Sequence, residues 1–318
     1  MRRILSVDGG GLRGALTSCF LAALEEQLGK PCREVFDMVA GTSTGALIAA
    51  AVAVGLPASQ ILGIYRDRAR QIFPFSASSV EGWANRIAKG HAYDPNIVRR
   101  ILLEEFGATA VPVDASTRGK YVEPEWALND LPIKILIPAK GIDQHPWYFV
   151  QDNPRNAQYT GTCSLIDCAV ASACAPTYFP PWYVPPSAKG LVGWCFDGGV
   201  GVDGNPTYRA CVEAFCYDDF DPADTALLSL GTGYFPDRAV NPPSGLLGTL
   251  TWTLDALVQA PINESVEDAQ REWPGVVTRM DWQLPRAIDM ADAFAVPELI
   301  ELGQSLAAKV DWRKVLKA

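Results

Sequence analysis

The run Gly41-Thr42-Ser43-Thr44-Gly45 constrains this chain more than any other feature. It lies between a short apolar stretch with strand character, Val35 to Ala40, and an alanine-rich stretch with helix character, 44–54. A glycine-x-serine-x-glycine so placed is a sharp strand-to-helix turn. The chain's own backbone closes in on both sides of it, and only glycine fits there. The turn lifts the serine hydroxyl clear of the sheet and puts it at a helix N-terminus, which favours developing negative charge. Ser43 is therefore a candidate nucleophile. The competing reading is a tight turn whose serine only caps the helix.

The surroundings read as α/β. Arg3 to Asp8 is a buried strand of the parallel type, broken by Gly9, Gly10 and Gly11. Residues 12–28 carry apolar side chains at helical spacing and stop at Gly29, Lys30 and Pro31. Strand, glycine loop, helix, strand, helix is the grammar of parallel sheets. Further strands are expected at 133–139, 146–150, 191–196 and 225–230. Helices are expected at 58–72, 95–106 (Asp94 as N-cap, Pro95 at the first position), 162–174 from a Thr162 or Ser164 cap, 245–259 and 297–309. Residues 107–130 read as loop. No shift in composition marks a boundary, so 1–318 reads as one domain, with the last third, from about 240, unassigned.

Charge excludes one class. With 27 basic against 36 acidic residues the net charge is −9, which disfavours a nucleic-acid protein. No apolar run reaches the roughly 18 residues that span a bilayer. The N-terminus meets Asp8 and then glycines before a signal-peptide core forms, so the expectation is a cytoplasmic protein, or one exported by a route the sequence does not show. The eight cysteines form no C-x-x-C pair and read as buried, reduced thiols, and no metal-ligand spacing stands out.

A serine nucleophile needs a base. The chain has only two histidines, His91 and His145, and both sit in turn-like sequence. The base is therefore expected to be a carboxylate. Asp197, in Phe196-Asp197-Gly198-Gly199, ends an expected strand, and active sites of open α/β sheets gather at strand ends. An ordinary carboxylate with pKa near 4 is a weak base for a hydroxyl, so burial has to help it. The cluster Asp8-Gly9-Gly10-Gly11-Leu12-Arg13-Gly14 contains the G-x-G-x-x-G of dinucleotide sites. The acid such a site wants at the end of the next strand is replaced here by Gly41-Thr42-Ser43. The alternative is a cradle for the oxyanion of acyl transfer, with inward backbone N–H groups beside a helix N-terminus and Arg13 pinning the loop through carbonyls.

Taken in order, Asp8 to Gly14, Gly41 to Gly45 and Asp197-Gly198-Gly199 resemble the patatin-like phospholipase family. The stretches Ala171 to Pro181 and Leu228 to Gly233 resemble it too, so the likeness covers residues 3 to about 233. The resemblance implies a three-layer α/β/α fold around a mostly parallel sheet. It implies a lipid acyl hydrolase with a Ser43–Asp197 dyad, an oxyanion loop of Gly9, Gly10 and Gly11 supported by Arg13, and no cofactor. It implies a membrane phospholipid or other lipid ester as substrate, with peripheral contact at a membrane surface. Some bacterial members act in antiphage defence as cyclic-nucleotide-activated, membrane-degrading effectors, and an acyltransferase on the same scaffold is a further alternative. One departure stands out: Asp203-Gly204-Asn205-Pro206 occupies the place where the family commonly has paired asparagines before a proline.

Two features offer a lipid interface. Phe73, Phe75, Trp83, Tyr178, Phe179, Trp182 and Tyr183 suit a bilayer boundary, with core packing as the competing reading. Residues 61–100 hold seven basic against three acidic residues, a local +4 for anionic headgroups or a solvated helix face.

Overall fold

A computed structural model describes residues 1–316 apart from 77–78, 108–125, 158, 188, 202, 236–261 and 263. Among the described residues the core is one eight-stranded sheet. Its parallel part runs β3 (Lys134–Gly141), β2 (Met38–Gly41), β1 (Arg2–Val7), β7 (Thr225–Leu230), β8 (Val277–Met280). β4 (Pro146–Phe149) and β6 (Trp194–Asp197) pair antiparallel with β3, and β5 (Trp182–Tyr183) extends β6.

Alternate residues of the strands point to opposite layers. Leu5, Val7, Val39, Ile135, Leu228 and Leu230 pack with Leu16, Phe20, Ile48, Ala169 and Leu299 from the helices Gly14–Leu28, Thr44–Val54, Leu165–Ala173 and Val296–Ala307. Ile4, Met38, Ala40, Leu136, Leu227 and Val277 pack with Ala210, Cys211 and Ala214 and with Val266 and Ala269 of the helical stretch 264–272. Burial on both faces explains why the central strands read as unbroken apolar runs. The fold is a mostly parallel sheet between two helical layers, as expected.

The elements fall close to the expected ones, with informative differences. The second strand starts at Met38, because Cys32–Val35 is a short helix behind Pro31. The strand expected at 191–196 is Trp194–Asp197, which carries it through to the aspartate. Ser164 is the N-cap of Leu165–Ala173, its hydroxyl accepting the Asp167 amide at 3.3 Å. The serine-rich middle holds an unexpected helix, Val80–Lys89, capped by Ser79, which accepts the Gly82 amide at 3.1 Å. Gly82 lowers helix propensity there and masks the pattern. The expected helix 245–259, and residues 108–125 of the expected loop, lie outside the described residues; Leu128–Asp130 is a single 3₁₀ turn.

The last third joins the same sheet. β8 pairs with β7, and Val296–Ala307 lies against Gly14–Leu28, where a Cβ on Gly303 would stand 2.9 Å from that of Cys19. Seven cysteines are buried and free, as expected; Cys216 is free but exposed.

The local basic excess does not form a bare patch. Arg66 pairs with Asp67, Arg68 with Glu104 and Glu105, Arg99 with Asp167, and Arg100 with Glu104. Three of these acids come from outside the 61–100 window, which is why the sequence count misleads. Most of the aromatics pack on one another: Phe73, Phe75, Tyr178 and Phe179 surround Tyr93. Trp182 donates to Asp167 at 3.1 Å, and Tyr183 is exposed against Trp194. The Trp83 side chain lies outside the described residues.

Candidate active site

The strand-to-helix turn after β2 is as tight as its glycines require. A Cβ on Gly41 would stand 2.0 Å from the Gly45 carbonyl oxygen, and one on Gly45 2.2 Å from that of Val7. Between them Ser43 adopts φ 57° and ψ −124°, a conformation that non-glycine residues rarely hold. Its amide donates to the Ser172 hydroxyl at 3.0 Å. The turn thereby presents the Ser43 side chain at the edge of a crevice lined by Gly9, Gly10, Ala175, Pro176, Asp197 and Met290.

Asp197, the last residue of β6, is buried, and it lines the same crevice as Ser43. Oδ1 accepts the Gly199 amide at 2.7 Å, the closed Asx-type turn that the two following glycines permit. The Asp197 amide donates to the Cys174 carbonyl at 3.0 Å, so the segment that holds Ser43 through Ser172 also holds Asp197. Burial raises the Asp197 carboxyl to about 6, and the hydrogen bond from Gly199 and the nearby Ser43 hydroxyl oppose the rise. No histidine lines this crevice among the described residues. His91 contacts the Tyr93 carbonyl, and His145 packs against Trp147.

The glycine loop after β1 faces the same crevice, but its three amides are not equivalent. The Gly9 amide donates to the Gly204 carbonyl at 3.0 Å and is therefore occupied. The Gly9 carbonyl accepts the Thr232 hydroxyl at 2.8 Å, and the Gly10 carbonyl accepts Arg13 Nε at 3.1 Å. A trans peptide points its N–H opposite its C=O. Pinning those two carbonyls from behind therefore turns the Gly10 and Gly11 amides the other way, and neither has a protein acceptor among the described residues. Gly11 has φ +58°, and a Cβ there would stand 2.3 Å from the Met290 carbonyl oxygen. Buried Arg13 also donates to the Gly233 carbonyl at 3.1 Å, so its guanidinium binds loop carbonyls.

The departing run Asp203 to Pro206 serves as a bracket. The Asp203 carbonyl accepts the Thr42 hydroxyl at 2.5 Å, and its carboxylate takes the Tyr148 hydroxyl at 3.0 Å. Asn205 donates to Asp8 at 2.7 Å and accepts the Thr207 amide at 2.8 Å. The serine turn and the glycine loop are both tied to this stretch.

An apolar pocket opens from Ser43 between the helices Thr44–Val54, Ala58–Ile72 and Pro95–Phe106, lined by residues such as Leu47, Ile61, Ile64, Ile101 and Leu102. It shares Ser43, Ala175 and Met290 with the crevice. Ser172, Thr232 and Met290 were not singled out from sequence. Ser172 and Thr232 sit inside stretches that carry the family resemblance, which was the available signal; Met290 lies beyond them.

Among the described residues no group of three His, Cys, Asp or Glu side chains is placed to hold a metal, and no helix is long and apolar enough to cross a membrane. A family model described as patatin-like phospholipase matches residues 5–210. A cGAMP-activated phospholipase of Escherichia coli (strain TW11681) is 31% identical over 265 residues, 79% of this chain and 67% of the relative. A cGAMP-activated phospholipase of Vibrio cholerae is 29% identical over an alignment that covers 96% of this chain and 90% of the relative. Patatin group M-3 of Solanum tuberosum is 29% identical over 261 residues, 73% of this chain and 61% of the relative.

Proposed function

The chain belongs to the patatin-like phospholipase family, and from that premise we propose that it cleaves the acyl ester of a membrane glycerolipid with Ser43 as nucleophile and Asp197 as general base. The observation that carries this reading is Ser43 and a buried carboxylate lining one crevice, with Ser43 also at the mouth of an apolar pocket. A base with pKa near 6 removes a hydroxyl proton better than an ordinary carboxylate and is still ionised at neutral pH.

Asp197 takes the Ser43 proton as Oγ attacks the acyl carbonyl. The oxyanion meets the Gly10 and Gly11 amides, while Gly9 and Arg13 shape the loop without donating to it. Asp197 returns the proton to the departing lysolipid oxygen, and water then hydrolyses the acyl-enzyme with Asp197 again as base. The acyl chain lies in the pocket past Leu47 and Ile61. The lipid enters from a membrane surface, and the exposed Val80 and Ile87 favour peripheral contact, on a helix whose Arg86 lies over the pocket-lining Tyr178. All of 1–318 acts as one catalytic unit, since β8 completes the sheet that carries the site.

The names of the two bacterial relatives favour a second layer, in which cGAMP switches this hydrolysis on. Both are tested by incubating phospholipid vesicles with wild type, Ser43→Ala and Asp197→Asn, with and without cGAMP, and identifying products by mass. Fatty acid and lysolipid from wild type alone are expected. Equal release by Ser43→Ala overturns the dyad, and release independent of cGAMP overturns the switch.

A further inference from the structure

We propose that Arg279, on β8 and outside the stretch matched by the family model, is a positioning residue for the Gly10 and Gly11 amides. This rests on the reading of those amides as oxyanion donors. Arg279 Nη1 and Nη2 donate to the two carboxylate oxygens of Asp8 at 2.8 and 2.6 Å, a fork-on-fork pair. Asp8 is where β1 passes into the glycine loop, and it is buried. Nη2 also donates to Asp281 at 3.0 Å. The other Asp281 oxygen accepts the Gly233 amide at 2.9 Å. The Gly233 carbonyl accepts Arg13, and Arg13 in turn holds the Gly10 carbonyl, each at 3.1 Å.

Arg279 therefore reaches the loop by two routes: at its first residue, through Asp8, and at the Gly10–Gly11 peptide, through Asp281, Gly233 and Arg13. The network closes on itself. Arg279 Nη1 donates to Ser229 Oγ at 3.0 Å, and Asn205 donates both to Asp8 and to Ser229. A planar guanidinium grips two carboxylates at once; a lysine ammonium, a compact point charge, does not reproduce the fork. Oxyanion donors act only at their set distance, and a misplacement of about 1 Å costs roughly 10²-fold in rate.

The test compares wild type, Arg279→Lys and the charge-neutral pair Asp8→Asn with Arg279→Gln. The pair removes both charges of the buried Asp8–Arg279 contact together and leaves Asp281 the Gly233 amide, so it decides the matter if Arg279→Lys does not fold. Four readouts are taken: hydrogen exchange of the segment 8–13, the rate of fluorophosphonate labelling at Ser43, kcat and KM on a short soluble ester, and Tm. The expected result is faster exchange confined to 8–13 and kcat and labelling rate lowered about ten- to hundredfold, with KM within about twofold. Wild-type exchange and wild-type kcat in a folded variant overturn the proposal. A wild type that fluorophosphonate does not label at Ser43 overturns the nucleophile reading instead, and the exchange comparison still scores the positioning of the loop.

Discussion

The backbone amide of Ser43 donates to the hydroxyl of Ser172 across 3.0 Å. Ser172 belongs to the helix Leu165–Ala173, and Cys174, just past its end, accepts the Asp197 amide. One short element thus sets the distance between the two residues proposed to react. The bond also supports a serine held at positive φ, a state that costs about 1–3 kcal/mol. Ser172→Ala leaves the Ser43 amide without its acceptor, which costs about 1–3 kcal/mol. Thermal unfolding is expected to report that loss, and kcat on a soluble ester is expected to fall about tenfold. Wild-type Tm together with wild-type kcat would remove Ser172 from this role.

The raised Asp197 carboxyl predicts an acid limb in the rate profile. The proposed base works only when ionised, and burial lifts its pKa to about 6. The expected kcat/KM is flat above that value and falls about tenfold per pH unit below it. An ordinary carboxylate would hold its rate down to about pH 4. The same shift acts on stability with a definite sign. The folded chain binds this proton more tightly than the unfolded chain, so its contribution is full below the ordinary carboxylate range and is lost as pH rises to about 6, by up to about 3 kcal/mol. Urea unfolding at pH 4.5 and 7.5 is expected to show Asp197→Asn gaining on wild type at the higher pH. A gain at the lower pH would contradict the assignment.

Two glycines separate geometry from propensity. Gly45→Ala places a methyl 2.2 Å from the Val7 carbonyl oxygen, backbone against backbone, and the turn carrying Ser43 must shift. Gly63, inside the helix Ala58–Ile72, has around its missing Cβ only the ends of Arg66 and Asp67, at 3.7 and 3.9 Å. Gly63→Ala is expected to raise stability by about 0.5–1 kcal/mol through helix propensity alone. Gly45→Ala is expected to lose several degrees of Tm and most activity. Equal melting of the two variants would show that the turn is looser than described.

The same contrast explains what the sequence could reveal. The serine turn was legible because its demands are local: a strand, two glycines and a helix within about twenty residues. Elimination of the two histidines pointed to a carboxylate, and the strand end before two glycines pointed to Asp197 as the proposed base. Ser172 and Arg279 were not, because they meet their partners across 129 and 271 residues and no local pattern encodes such a pairing. The Gly9 amide looked equivalent to its neighbours until the Gly204 carbonyl was found against it. The basic stretch 61–100 shows the same limit in reverse, since Glu104, Glu105 and Asp167, which pair with three of its arginines, lie outside it.

The pocket predicts a selectivity that the dyad alone does not. Ile64 lines it from the helix Ala58–Ile72 and is only half-buried, so a larger side chain there has room to enter the pocket without opening the core. Ile64→Trp fills volume that the acyl chain is proposed to occupy and leaves Ser43, Asp197 and the glycine loop in place. Hydrolysis of a long-chain ester is expected to fall at least tenfold, while a butyrate ester, which needs only the mouth, stays within about twofold. That split follows from lost apolar contact, worth about 0.8 kcal/mol for each methylene kept in water. Measuring kcat/KM over esters of increasing chain length checks it. A uniform loss at every length would mean that the acyl chain lies elsewhere, and an unchanged profile would mean that the pocket does not receive it.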